Sequence, residues 1–521
     1  MVLKSPLFYS LFFLLISTSC IAQGTRIEIK LAEIPTNTKI VTLTKKDFLV
    51  LYKINEGRGS PFNTWNITKF NAHFNDLWNV LIEIPTRFEI KSKLYDSLYN
   101  RYIWVSTSST QMRIDLLDLS NGDYQSQTYG LATHVDEIRS TKIIGHDLFV
   151  LFYYGPNEQA NDASMICCRP MRKSGISAFK TGCLYTRIDL KNQIKYEQSD
   201  ISRGVTVPDK IQNNTIQPGL FTVSIIKQKP HSNGQSELIL KNLGKNLITI
   251  DSFILGARDN TYLQNAILLN STKDYAVIGT YDSATSAHNK NNTSYSKGFY
   301  SSFMDTGRTF SPIRLYPFSE FKSIETYLKS NPYRNNHRIE AHQKATSFST
   351  HLWLNDVIET DSEFIQTAEA YFPVYSTNTI VNGHLTQKFE GYNYAFCLVL
   401  GFNKTGQLKW DQTIPLSFNR LYETISQKVN ITLSDNTLRA SFSSMGKLNL
   451  VTFVPGLLPN TKTYDWPRMN PDDEKIIEYD SGETPWDKKH TLIWGVQKIK
   501  TSTIESREKN IILYIDLAVC D

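Results

Sequence analysis

Aromatic side chains are the residues of this 521-residue chain whose type and grouping best suit recognition chemistry. Tyr371-Phe-Pro-Val-Tyr375 lies shortly before Tyr392 and Tyr394, and Trp466 and Trp486 sit in a later turn-rich stretch. Rings bury much area at low entropic cost, so such faces can stack on sugar rings or peptide. Packing in a β-rich core is the competing use of the same rings. Tyr371, Tyr375, Tyr392, Tyr394, Trp466 and Trp486 are therefore the candidate ligand-binding residues.

Titratable groups offer less. His337, Glu340 and His342, followed by His351, have metal-ligand types but no helical spacing, and they read as a solvated loop. Asp472-Asp-Glu474 with Glu478, Asp480 and Glu483 has hard oxygens for calcium without EF-hand spacing. It reads as a solvated acidic loop. Glu369 is unusual, because Thr-Ala-Glu-Ala-Tyr is otherwise strand-like. A carboxylate buried there needs partners or a raised pKa, and a structural hydrogen bond is expected before a general acid. No His-Glu-x-x-His, Gly-x-Ser-x-Gly, Walker loop or Gly-x-Gly-x-x-Gly occurs. No catalytic residue is assigned, and no metal or cofactor is expected.

The ends and the cysteines bear on compartment. Lys4, the apolar run Leu7 to Ile16 and small residues up to Ala22 form a secretory signal peptide, 1–22, cleaved before Gln23. The run is too short to span a bilayer, which takes about 20 residues. Cys20 as a lipid anchor is the alternative; Ser-Thr-Ser before it lacks the usual Leu. No later segment approaches transmembrane length. The expected location is secreted, periplasmic or on the outer envelope. Five cysteines then remain, Cys167, Cys168, Cys183, Cys397 and Cys520, an odd number. A short loop makes Cys168 with Cys183 the candidate disulfide. Losing Lys4 lowers the net charge from +6 to +5, scattered along the chain, which excludes a basic nucleic-acid stripe.

The elements that must position these residues are strands. Phe48-Leu-Val-Leu-Tyr52, Tyr102-Ile-Trp-Val-Ser106, Leu148 to Tyr154, Tyr275 to Tyr281, Ala395 to Leu400 and Ile511 to Ile515 are short aromatic and β-branched runs. One helix is predicted, Ser319 to Ser330, with Phe321, Ile324, Tyr327 and Leu328 on one stripe and Ser319 as its N-cap. Asn/Asp/Gly turns recur between strands, as in Leu119-Ser-Asn-Gly-Asp123 and Asn403-Lys-Thr-Gly406, where positive φ suits a twisted hairpin. Their loose repetition predicts an all-β fold: an irregular β-propeller of about seven blades, over 23–521 as one domain, with insertions near 155–183, 282–296 and 466–489. Two β-sandwich-like domains are the alternative. The last strand, Ile511 to Val519, is expected beside an early one.

Two resemblances follow from these motifs. Asp305-Thr-Gly-Arg-Thr-Phe310 resembles the Asp-box of sialidase-type propellers, with Phe303 and Phe310 in place of its Ser and Trp. Ala368 to Tyr375, Phe389 to Tyr394, Gly401 to Asp411, Gly279-Thr-Tyr281, Gly298-Phe-Tyr300 and Asn510 to Asp516 resemble a group of uncharacterised exported proteins of Bacteroidota-type bacteria. The likeness covers mainly 270–521 and implies export and an all-β, propeller-like fold, with no activity to transfer. The functional expectation is a non-enzymatic binding or scaffold protein of the bacterial envelope, contacting a glycan or an envelope protein. The alternatives are a propeller-type glycan hydrolase and a calcium-braced adhesin.

Overall fold

The computed structural model describes residues 26–519 except 155–179, 229–235, 284–294, 331–348, 466–475, 501–508 and several turns of one to four residues. The signal segment with Cys20, and also Cys167, Cys168, Cys520, Trp466, His337, Glu340, His342 and most of the three expected insertions, lie outside the described residues.

Nearly every element among the described residues is an antiparallel strand, and each of the six apolar runs named above lies in one, although Ala395 to Leu400 is only part of the 20-residue strand His384–Asn403. Eight sheets form. Six have four strands, one has five and one has six. In most of them strands follow one another in chain order, as a tight hairpin turn allows and a sandwich crossover does not. This is the strand order of propeller blades. It replaces the two-sandwich alternative and raises the blade count from about seven to eight.

The described chain divides into two compact units, residues 1–86, 430–453 and 459–521 in one, and 87–429 and 454–458 in the other. The first unit holds three sheets. One runs Thr36–Thr42, Phe48–Lys53, Phe62–Phe70, Asp76–Pro85, and another Asn430–Ser434, Thr437–Ser444, Lys447–Phe453, Asn460–Asp465. The third joins Ile476–Pro485, His490–Lys500 and Lys509–Val519 to the early strand Ile27–Leu31, which pairs from Ile27↔Ile515 to Leu31↔Ile511. The expected pairing of the last strand with an early one is thus present. Ile511, Leu513 and Ile515 from it pack with Leu492, Trp494 and Val496 against Ile40, Phe48, Val50 and Phe70.

The second unit holds five sheets. Side chains latch successive sheets where backbones do not pair. The Gln212 amide accepts from Leu268 N–H (2.7 Å) and donates to Leu268 C=O (3.1 Å), as a neighbouring strand would. Asp209 accepts from Ala266 N–H (2.8 Å) and Ser224 Oγ (3.1 Å), and Ser236 Oγ accepts from Leu263 N–H (2.6 Å). The predicted helix is a short 3-10 turn, Phe318–Glu320, running into an α-helix, Lys322–Ser330. Its stripe of Phe321, Ile324, Tyr327 and Leu328 enters the core as predicted. The cap differs: Ser319 lies inside the 3-10 turn, and Asp411 of strand Leu408–Pro415 accepts from Ser323 N–H at 2.8 Å. A carboxylate at the positive end of a helix meets both the open amide and the dipole.

The Asn403 turn forms as its residues predict. Asn403 Oδ1 accepts from the N–H of Thr405 (3.1 Å) and Gln407 (2.8 Å), and Gly406 takes φ +73°. Trp410 lies flat on Gly401, where a Cβ would stand 2.2 Å from the indole, and its Nε1 donates to Glu363 (3.0 Å). Of the near Asp-box, Met304 and Phe310 bridge antiparallel, while residues 305–308 lie outside the described residues.

Leu513 is fully buried between sheets of the first unit. Leu513→Ala is expected to cost roughly 2–5 kcal/mol in denaturant unfolding. Removing residues 510–521 strips the partner from both Ile27–Leu31 and His490–Lys500, and should abolish the cooperative thermal transition. A truncated chain that melts like the intact one would show that this strand is dispensable.

Candidate functional site

The aromatic candidates of the second unit are placed by one long hairpin. Glu363–Val381 and His384–Asn403 pair from Glu363↔Asn403 to Val381↔His384. Their sheet neighbours stop early. Thr350–Leu354 reaches only Tyr371, and Leu408–Pro415 only Phe396. Beyond those points the hairpin runs on for about ten residues per strand, some 33 Å at strand rise. Pro373 lies on this extension and lacks the N–H that a further strand would need.

At the base of the extension, cross-strand register sets a row of rings. Tyr295 pairs with His351, His351 with Tyr371, and Tyr371 with Tyr394. Their ring centroids follow at 4.1, 5.3 and 6.2 Å, and Tyr422 adds a fifth ring 5.6 Å from Tyr394, edge to face. A branch leads outward along the hairpin. Tyr392 meets Tyr371 at 5.7 Å, Phe389 meets Tyr392 at 4.9 Å and Tyr375 meets Phe389 at 5.6 Å. Four of the six sequence candidates are therefore neighbours, in unequal settings. Tyr375 is 50% exposed and Phe389 41%, Tyr371 and Tyr392 are half-buried, and Tyr394 is buried. The Tyr394 hydroxyl donates to Ser426 C=O (2.9 Å) and accepts from Ser426 N–H (3.0 Å), which gives this ring a supporting role.

The segment that carries Tyr422 is held onto the hairpin at several points. Tyr392 and Tyr422 exchange backbone hydrogen bonds of 2.8 Å each way. Gly391, at φ +141°, lets the segment come close: a Cβ there would stand 3.0 Å from both Leu421 Cβ and Tyr422 O. Lys428 Nζ donates to Ser426 Oγ (2.8 Å) and lies 3.8 Å above the Tyr422 ring. Beneath sits Glu369, fully buried. It accepts from Lys428 N–H (2.8 Å), Val429 N–H (3.1 Å) and Asn355 Nδ2 (3.0 Å). The residue that looked odd in sequence is thus a hydrogen-bonding anchor for this segment. Burial raises its carboxyl above the ordinary range, and the donors from Asn355, Val429 and Lys428 pull the other way. Cys397, directly across the strand pair, is a buried free thiol pushed up by desolvation and by Glu369.

Register brings Tyr295, His351, Phe389, Tyr422 and Lys428 to this place, and no local spacing in the sequence marked them as a group. His351, close behind His337 and His342 in the sequence, has its ring stacked between Tyr295 and Tyr371. Trp486 belongs to the first unit, where it stacks on Phe74 (5.3 Å) and meets Phe48 (5.5 Å). Glu483 accepts from Asn430 Nδ2 (3.0 Å) there. Cys183 is a buried free thiol with its pKa pushed up to about 12 by desolvation, then by Asp200. Its expected partner Cys168 lies outside the described residues. Among the described residues no group of three His, Cys, Asp or Glu is placed to hold a metal ion. No helix among them is long and apolar enough to cross a membrane.

No family model matches the chain, and no curated protein does. Among solved structures, a prolyl oligopeptidase B from Galerina marginata aligns over 93% of this chain and 56% of its own, at 8% identity and TM-score 0.38. A Synechocystis apocarotenoid oxygenase aligns over 53% of this chain and 60% of its own, at 8% identity and TM-score 0.33. The chain thus spans less than two thirds of either structure, and neither likeness bears on residue roles.

Glu369 tests the anchoring. Glu369→Ala leaves three donors without an acceptor and should cost about 3 kcal/mol or more in unfolding free energy. Because the folded-state pKa is raised, the group's favourable contribution is complete below its unfolded value and is lost as pH rises through the folded value. The melting temperature of Glu369→Gln relative to wild type should therefore increase with pH across that window. A constant difference would mean that the carboxyl titrates alike in both states.

Proposed function

We propose that this chain is a non-enzymatic binding protein of propeller type, exported and acting at the bacterial envelope, with the outer face of the long hairpin as its ligand surface. The reading includes removal of residues 1–22, a single propeller domain over 23–521, and a glycan or an envelope protein as partner. The observation that carries it is the run Tyr371, Tyr392, Phe389, Tyr375, in which rings become progressively exposed along an extension that outruns the strands Thr350–Leu354 and Leu408–Pro415 and is bridged at its base by Tyr422. Rings held edge to face by cross-strand pairing present fixed apolar faces at low entropic cost, as stacking on a pyranose or a peptide requires. The buried Tyr394, the Tyr422 segment and Glu369 support these rings from behind. Glu369 has its oxygens engaged by three donors, a setting suited to holding backbone.

A glycan array followed by calorimetry on each hit tests the ligand class. Tyr375→Ala and Phe389→Ala should each weaken binding by about tenfold or more, while Trp486→Ala, in the other unit, leaves it unchanged. An array without hits removes the sugar version; binding that survives loss of both rings removes the hairpin as the surface.

A further inference from the structure

The third sheet of the second unit ends in the strand Thr249–Gly256, whose one paired neighbour among the described residues is Ser236–Leu243. One side of this strand is committed to the core, where Phe253 and Leu255 pack with Leu238, Leu240 and Leu263. The other side is apolar and open: Ile248, Ile250 and Ile254 are 54%, 59% and 60% exposed, and Ser252 between them is exposed as well. A free strand edge is a template for another strand, and proteins blunt it with charge or proline. Several last strands elsewhere in the chain do so, and Tyr124–Gly130, which has neither, is polar instead. Asp76–Pro85 carries Asp76, Glu83 and Pro85; Ile194–Arg203 carries Lys195, Glu197 and Arg203; Leu408–Pro415 carries Lys409, Asp411 and Pro415. Thr249–Gly256 has no proline and no basic residue, and Asp251 is its only charge.

We propose that Thr249–Gly256 pairs antiparallel with the same strand of a second copy of this chain, about a two-fold axis at Ser252. A two-fold interface must be self-complementary, and this segment is. Ile250 and Ile254 stand symmetrically about Ser252, so each faces the other's counterpart in the second copy, and Asp251 faces Phe253. Moving the axis to Asp251 would set two carboxylates directly opposite, which is unfavourable. Moving it to Phe253 would leave Ile250 against Gly256 and Ile254 against Ser252. A strand from an unrelated protein requires no such symmetry. The pairing would join two four-stranded sheets through backbone hydrogen bonds, with two Ile–Ile contacts on the open face. Its area lies near the small end of specific interfaces, about 1,200 Å² or less, so the dimer should dissociate on dilution.

Sedimentation equilibrium of the full chain tests this. The wild type is expected to pass from one chain to two with rising concentration, and the Thr249–Gly256 amides to gain hydrogen-exchange protection in step. Ser252→Lys puts two ammonium groups face to face at the axis and should weaken association about tenfold or more with an unchanged melting temperature. Ser252→Thr should retain the dimer. If the lysine variant folds poorly, Ser252→Asp applies the same like-charge repulsion with a shorter side chain. A wild type that stays monomeric at its highest soluble concentration overturns the proposal. So does a well-folded charged variant that associates like the wild type.

Discussion

Antiparallel pairing between strands that are neighbours in sequence is the constraint on which everything else here depends. Each buried strand must satisfy its N–H and C=O groups laterally, and a short turn lets the next segment do so immediately. A sheet built this way is narrow and apolar on both faces. Each needs a further sheet against it, which is why the cores of both units lie between successive sheets rather than within one. The strand Lys509–Val519 departs from this local rule, since its second neighbour, Ile27–Leu31, comes from the far end of the chain.

Where backbones do not pair, polar side chains take their place. Gln212 imitates a strand against Leu268, Asp411 supplies the acceptor that the helix Lys322–Ser330 lacks, and Glu369 gathers the amides of Lys428 and Val429. Leaving such a donor buried and unmet costs roughly 1–3 kcal/mol, so one carboxylate with three donors is a strong local determinant even though burial itself disfavours its charge. The aromatic row depends on this. Tyr422 and the Lys428 ammonium above it belong to the segment that Glu369 holds, and Tyr394 contributes through its bonds to Ser426. The ring surface is thus positioned by a buried polar group that touches none of its exposed members.

The long hairpin is where function and fold part company. Close to the core its residues alternate as a buried strand pair should, with Ala368, Ala370, Phe396 and Leu398 in the interior. Further out, the same two strands outrun their neighbours and expose rings. Neither composition nor period changes sharply at that point. Tyr371 and Tyr375 look equivalent in the sequence, yet one is flanked by His351 and the other meets its hairpin partner Phe389.

The amino-acid sequence by itself determined the class of structure: short β-branched and aromatic runs, Asn–Gly turns and one amphipathic stripe make strands, hairpins and the helix Lys322–Ser330, because those preferences act within a few residues. It also marked Glu369 as a carboxylate in need of partners, and four of the tyrosines now seen together. Tertiary structure alone decided the number of sheets, the cap in which Asp411 accepts from Ser323 N–H, and which rings are buried. It also decided the joining of His351, Tyr422 and Lys428 to those tyrosines. Each of these rests on register between segments tens of residues apart. Register is set by the summed fit of whole sheet faces and leaves no mark on local spacing.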